Sequence, residues 1–291
     1  MFNRLRKILE PAGETPSFAL SDRRVFGVGD IHGCDDLLEA LLEGIDVITR
    51  HDPHPPIIVF LGDYVDRGPA SRQVIDRLIS LEAQGRKARF ICGNHEEAML
   101  RFLGDMEGGL AWPGYGGRET MASYGVACPE DEQDLDAWRV TQARLKEAIP
   151  TAHMKFLWGL EDKVELGGYL FVHAGLRPEK SIAAQTQRDL RWIREPFLSD
   201  TRPFSHVVVH GHTPAADPHS DDRRVGLDTW AYKSGILSAV ELKRDRRRFF
   251  QARRETDGIL VGPWKAAKSA SGIDGSEAMR DQAADEPAPQ S

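Results

Sequence analysis

Three cysteines, Cys34, Cys92 and Cys128, are all that the 291 residues contain. So sparse and odd a set is no disulfide framework. It points to a reducing compartment, the cytoplasm, with Cys34 and Cys92 packed as small hydrophobes. No apolar run approaches the ~20 residues that a membrane helix needs, so no membrane partner is expected. Net positive charge is missing as well: 38 Lys and Arg stand against 45 Asp and Glu, a formal charge of -7. A nucleic acid polymer needs a basic footprint and is not the expected partner, whereas a local cationic site suffices for a small phosphorylated substrate. The first ten residues place Arg4, Arg6 and Lys7 between apolar residues, without a continuous apolar stretch or a small-residue cleavage site. They read as a short amphipathic surface helix and not as a signal peptide. Apolar material is plentiful at 41%, enough for a large core.

That apolar material falls into a strand–helix–strand–helix–strand rhythm. Residues 25–29 (VFGVG), 57–61 (IIVFL) and 88–92 (ARFIC) read as short buried strands. Between them Leu37, Leu38, Leu41, Leu42, Ile45 and Val47 recur at helical spacing over 35–48, as do Val74, Ile75, Leu78, Ile79 and Leu81 over 71–81. A third helix is expected to start at Glu96. The order predicts parallel strands joined by helical crossovers. Downstream, 165–173 predicts a hairpin turning at Gly167-Gly168, 206–210 (HVVVH) another strand, and 235–242 with 247–253 a late pair. Strands that follow one another without helices imply a second sheet. The expected fold class is therefore α/β, a β-sandwich flanked by helices around a βαβαβ core.

Residues 104–160 hold six aromatics and are expected as an inserted, partly helical cap, with those rings packed as core in preference to stacking on a base. The acidic run 130–136 is expected as a solvated loop and helix start. The Arg-rich stretch 244–254 predicts a solvated edge strand. The expected boundaries are an N-terminal segment 1–23, a catalytic domain 24–261 and a disordered tail 262–291.

Metal-competent side chains stand at the carboxyl end of one predicted strand after another. The clusters are Gly29-Asp30-Ile31-His32-Gly33, Gly62-Asp63-Tyr64-Val65-Asp66-Arg67-Gly68, Gly93-Asn94-His95-Glu96, His173-Ala174-Gly175 and His210-Gly211-His212-Thr213-Pro214. Open α/β sheets bind ligands at those ends. Asp30 and His32, two apart, point to one side of an extended backbone. One histidine at a strand end is ordinarily a packing residue; five strand ends with the same arrangement are a site. Mixed Asp, His and Asn ligands suit Mn2+, Fe2+ or Zn2+, and the lack of a Cys ligand disfavours a structural zinc. The set exceeds one ion's needs, which makes a pair about 3.5–4 Å apart the natural reading.

Taken together, GDIHG at 29–33, GDYVDRG at 62–68, GNHE at 93–96, HAG at 173–175 and GHT at 211–213 resemble the calcineurin-like metallophosphoesterases. Within them the chain is similar to the bacterial phosphoprotein phosphatases that act on serine and threonine, from about residue 24 to 243. The resemblance implies that Asp30 and His32 hold one metal, that Asp63 bridges both, and that Asn94, His173 and His212 hold the second. His210 would support from behind. His95 would be the general acid, oriented by Asp66. Arg67 would grip the phosphoryl oxygens together with Arg194, whose setting Trp192-Ile193-Arg194-Glu195 resembles a W-x-R-E element of bacterial members. The competing reading of Arg194 is a surface pair with Glu195 or Asp189. Residues 114–125 resemble a GG-x-x-T-x-x-x-YG stretch, in which Arg118 has no evident role. The chain departs from pattern at Trp230, which follows Leu227-Asp228-Thr229 where a glycine is usual and could reshape the cleft rim.

The implied reaction is hydrolysis of phosphomonoesters by a hydroxide bridging two divalent ions, with Mn2+ first and Fe or Zn as alternatives. Phosphoserine and phosphothreonine in proteins are the first substrates implied. A hydrolase of diadenosine tetraphosphate or similar nucleotides, or a broad-specificity phosphatase, is the alternative. Asp66 tips the balance, because symmetric dinucleoside tetraphosphatases resemble the chain but usually lack an acid there. A metal-binding scaffold without turnover is a third reading, opposed by His95, Asp66 and Arg67, which serve chemistry more than metal binding.

Overall fold

Val25–Val28, the first strand (β1), is buried at every position in a computed structural model that describes residues 23–264. The chain continues through α1 (Asp35–Thr49), β2 (Ile57–Phe60), α2 (Ser71–Ala83), β3 (Lys87–Phe90) and α3 (Asn94–Gly104). Helices α4 (Gly117–Ser123), α5 (Leu135–Ala148) and α6 (Thr151–Trp158) follow, then β4 (Lys163–Leu166), β5 (Tyr169–Val172), α7 (Gln187–Trp192), β6 (Val207–His210), β7 (His219–Ser220) and β8 (Arg224–Gly226). A short α8 (Ala231–Ser234) leads to β9 (Ile236–Lys243), β10 (Arg246–Glu255) and β11 (Gly258–Pro263).

Two sheets face each other. The first has the order β11-β10-β9-β1-β2-β3 and the second β4-β5-β6-β8-β7. β1, β2 and β3 run parallel, and so do β5, β6 and β8. Parallel strands covered on both faces read as unbroken apolar runs, which is why IIVF and VVV stand out in the sequence. Alternate residues divide between layers. Val25, Val59 and Val240 meet Phe171, Val207 and Val209 between the sheets. Phe26, Val28 and Phe60 face Leu37, Leu41 and Ile45 of α1 on one outer side. Leu170, Val172 and Val208 meet Leu190, Ile193 and Phe197 on the other. Each fully buried side chain of this kind contributes about 1.5–3 kcal/mol. The parallel strands therefore end rigidly and side by side, as a site built on their carboxyl ends requires.

The α/β sandwich and the hairpin at Gly167-Gly168, with Leu166 opposite Tyr169, agree with expectation. Other expectations need correction. The third helix starts at Asn94, two residues before Glu96, so Asn94 and His95 occupy its first turn. The late pair of strands is a triplet, and the Arg-rich strand β10 lies between β9 and β11. The edge is β11, whose weakly alternating GILVGP half-buries itself against α1 and gave little signal. The folded chain also runs past 261: Trp264 packs on Phe249 at 5.9 Å and donates its indole N–H to Asp217. The amphipathic helix expected at 1–10 and the tail from 265 lie outside the described residues.

The insert is partly helical, through α4, α5 and α6, and most of its aromatics join the main core, as expected. Trp112, Tyr124, Trp138 and Phe156 are buried, and Phe102 lies 5.2 Å from Trp112 and 6.1 Å from Trp138. Tyr115 is half-buried, and Trp158 is 72% exposed. The acidic run serves a helix start, since Asp134 accepts the Ala137 N–H at 2.9 Å. Arg118 pairs there with Glu132 (2.6 Å), over the Trp138 ring.

Candidate active site

The strand-end loops are tied to one another before any side chain enters the site. Ile31 and His32 donate their N–H groups to Asp63 O at 3.0 and 2.8 Å, and Gly211 N donates to His173 O at 2.8 Å. The Glu96 carboxylate, in the first turn of α3, accepts from the backbone N–H of Asp63 (2.9 Å), Tyr64 (2.7 Å), Val65 (3.2 Å) and Gly93 (2.9 Å). Burial still pushes its pKa up to about 7. His32, Asp63, Asp66, Arg67 and His212 all take positive φ, from 45° to 74°. Such conformations cost on the order of 1–3 kcal/mol each and persist only where the surroundings dictate them. Two glycines leave room for the carboxylates: a Cβ on Gly211 would collide with Asp30 Oδ1, and one on Gly93 with Asp63 Oδ1.

Asp63 is central. Its Oδ2 lies 3.5 Å from His32 Nε2 and 3.9 Å from His95 Nε2, and its Oδ1 lies 3.4 Å from His173 Nε2. Asn94 Oδ1 sits 2.8 Å from His173 Nε2 and 2.9 Å from His212 Nδ1. Two clusters able to hold a metal share Asp63: His32, Asp63 and His95, and Asp63, His173 and His212. The first contains His95 where the resemblance implies Asp30. Asp30 turns one oxygen to the His212 N–H at 2.9 Å, while its buried Oδ1 has no hydrogen-bond partner.

The far nitrogen of each imidazole donates to a backbone carbonyl: His32 Nδ1 to Val65 O (3.0 Å), His173 Nδ1 to Leu61 O (2.8 Å) and His212 Nε2 to Trp192 O (3.2 Å). This fixes the tautomers, so the nitrogens facing Asp63 and Asn94 present lone pairs. Acceptors then face acceptors at hydrogen-bond distance. Electrostatics repeats the pattern. Burial, with the neighbouring Asp228, holds Asp30 well above the usual carboxylate range; burial, with Asp30 and Glu96, does the same to Asp63. Burial also holds His32 and His212 well below the usual imidazole range and lowers His173 to about 3. Neutral imidazoles, crowded carboxylates and an orphaned carboxylate oxygen fit divalent cations. His210 is engaged elsewhere, through Gly211 O (3.0 Å) and the Arg224 guanidinium (3.2 Å).

Residues 23–240 match the family model described as calcineurin-like phosphoesterase. The chain belongs to the calcineurin-like phosphoesterases. It is 28% identical over 237 residues to an asymmetrical bis(5'-nucleosyl)-tetraphosphatase, PrpE, of Anoxybacillus flavithermus, covering 73% of this chain and 88% of that one. The protein of the same name from Geobacillus thermodenitrificans is 29% identical over 234 residues, again 73% and 88%. A crystal structure of a candidate diadenosine tetraphosphatase superposes with a TM-score of 0.54 at 22% identity, covering 84% of this chain and 96% of that one. A cold-active protein tyrosine phosphatase also gives 0.54, at 16% identity, covering 81% and 78%. Both structures share the fold.

In this phosphoesterase His95 Nδ1 donates to Asp66 Oδ2 at 2.7 Å. The insert holds that aspartate: Trp112 Nε1 donates to Oδ2 (2.8 Å) and Thr120 Oγ1 to Oδ1 (2.6 Å). Arg67 donates to the Tyr232 hydroxyl (3.0 Å) with its guanidinium 5.1 Å over that ring, and the ring lies edge-on to His32 at 5.4 Å. Arg194 follows α7, and its charge contributes to the lowered pKa of His173 and His212. Asp189, one rival partner for Arg194, carries Arg177 and Lys180 at 2.8 and 2.6 Å. Trp230 takes φ +58°, the left-handed conformation that explains a usual glycine, and lies 4.7 Å from the Lys233 ammonium.

The structure thus gathers Asp30, His32, Asp63, Asn94, His95, His173 and His212 within one buried cluster, with Asp66 behind and Arg67 and Arg194 acting on it electrostatically. Glu96, Trp112, Thr120 and Tyr232 went unassigned from sequence. The threonine of the GG-x-x-T stretch and the fourth residue of GNHE were the available signals.

Proposed function

We propose that this phosphoesterase hydrolyses dinucleoside polyphosphates of the diadenosine tetraphosphate type, the alternative reading drawn from the sequence. The observation that carries it is the likeness, over about three quarters of the chain, to proteins named as asymmetrical bis(5'-nucleosyl)-tetraphosphatases. A second role for Asp66 supports the same reading. Asp66 accepts from Trp112 and Thr120 as well as from His95, so it anchors the insert whatever the substrate.

Asp30, His32 and Asp63 would hold one divalent ion, and Asp63, Asn94, His173 and His212 the other, with His210 steadying the β6 end. Two such ions, Mn2+ first and Fe or Zn as alternatives, supply Lewis acidity and an activated water when bound. Arg67 and Arg194 orient the polyphosphate and offset charge on its non-bridging oxygens. Tyr232 fixes the Arg67 guanidinium. His95 donates a proton from Nε2 to the leaving oxygen, its other nitrogen held by Asp66. A nucleotide phosphate leaves more easily than a serine alkoxide, so protonation by His95 matters less for an anhydride than for an alkyl ester.

The test is chromatographic. Diadenosine tetraphosphate with the Mn2+-loaded chain is expected to give adenosine mono- and triphosphate. Two diphosphates would make the cleavage symmetrical instead of asymmetrical; no cleavage while a phosphopeptide is hydrolysed would overturn the reading.

A further inference from the structure

The Trp192 element contributes Arg194 to the proposed mechanism, but Trp192 itself has no part in it. Its geometry assigns it one. The main-chain oxygen of Trp192 accepts from His212 Nε2 at 3.2 Å, and its ring stands edge-on to that imidazole at 6.4 Å. The same residue's indole N–H donates to Glu97 Oε2 at 3.2 Å. Glu97 belongs to the first turn of α3, two residues after His95. It also receives Arg191 Nη1 at 3.2 Å, and Arg191 is buried and held from its other side by Asp162 at 2.6 Å.

The rest of α7 is anchored in the same sense. Thr186 and Asp189 cap its start reciprocally, and Leu190 O accepts from Ala174 N at 2.8 Å, next to His173. The carboxyl end of α7 therefore presents two carbonyls, one to the His173 loop and one to the His212 ring. Glu97 ties that end to the helix that carries Asn94.

We infer that Glu97 and Trp192 form a strap that aims the His212 imidazole, so that Asn94, His173 and His212 converge on one ion. This rests on the two-metal reading above. Glu97 and Trp192 are positioning residues: neither touches the reacting atoms. A carbonyl that fixes a ligand's tautomer and ring plane acts most strongly on the metal held by that ligand. The strap thus acts on one of two adjacent positions.

The experiment is calorimetric titration of Mn2+ into the chelator-stripped full chain, with a thermal melt on the same sample. Trp192→Phe keeps the ring and deletes the indole donor; Glu97→Ala deletes the acceptor; Glu97→Gln keeps an oxygen for the indole. The wild type is expected to bind two ions. Trp192→Phe and Glu97→Ala are expected to weaken one position by about 10–100-fold and leave the other as it was. Excess Mn2+ then restores kcat at unchanged KM, and Glu97→Gln stays near wild type. Unchanged binding at both positions, or equal weakening of both in step with a lowered Tm, overturns the strap. Should Glu97→Ala not fold, Trp192→Phe decides. A wild type that binds no Mn2+ overturns the two-metal reading itself.

Discussion

Asp63 touches both clusters, so its loss is the most damaging single change. Asp63→Asn should abolish turnover and lower the number of Mn2+ ions retained after gel filtration; a variant with full activity would contradict its place between the two. Thr120 works at one remove, since its hydroxyl donates to Asp66 Oδ1 and accepts from Asp66 N. Thr120→Val takes one donor from the buried Asp66 carboxylate, while the Asp66 N–H keeps Ser71 Oγ at 3.0 Å, at a cost of about 1–3 kcal/mol. Denaturant midpoints should show it, together with a lower kcat on an alkyl phosphate ester, and Thr120→Ser should recover both. These residues differ in legibility for a physical reason. Asp30, Asp63, Asn94, His173 and His212 follow strands that the sequence marks by apolar runs, so their convergence could be inferred from topology. Thr120 and Trp112 lie 54 and 46 residues from Asp66, and nothing local in the sequence announces such a contact.

Among elements, α1 is docked on the first sheet partly by charge. Arg254 of β10 makes two contacts with the Asp36 carboxylate, at 2.8 and 2.7 Å, and holds its pKa below the ordinary value. Both side chains are more than a third exposed, so the pair contributes no more than about 0.2–1 kcal/mol after screening. A depressed carboxylate stabilises above its unfolded pKa, and the contribution is lost as pH falls through the folded one. Asp36→Asn should therefore lower the midpoint slightly at neutral pH, and the difference should shrink below about pH 3.9. A gap that widens on acidification would contradict this. The pairing of β10 with β11 was illegible for a related reason. β11 is only half-buried, so its sequence lacks the contrast between faces that marks β1, β2 and β6.

At the scale of the whole molecule, the sandwich was legible because β1, β2, β5 and β6 are buried almost throughout. The helical insert with its aromatics packed as core was legible too, but not which distant residues those rings and hydroxyls meet. The site's burial has a global consequence. Asp30 and Asp63 are crowded with Asp228 and Glu96, and divalent cations would relieve that crowding. Chelation should lower the Tm, and Mn2+ at a hundred times its Kd should restore about 2.7 kcal/mol. A Tm indifferent to chelation would show that the cluster needs no cation to be stable. Among the described residues no helix is long and apolar enough to cross a membrane.

The most direct measurement compares kcat/KM for diadenosine tetraphosphate and for a phosphoserine peptide on one Mn2+-loaded sample, with metal content determined on the same protein. Two ions per chain, a clear preference for the dinucleotide and release of mono- and triphosphate are expected. A metal-loaded chain that turns over the peptide and leaves the dinucleotide intact would contradict it.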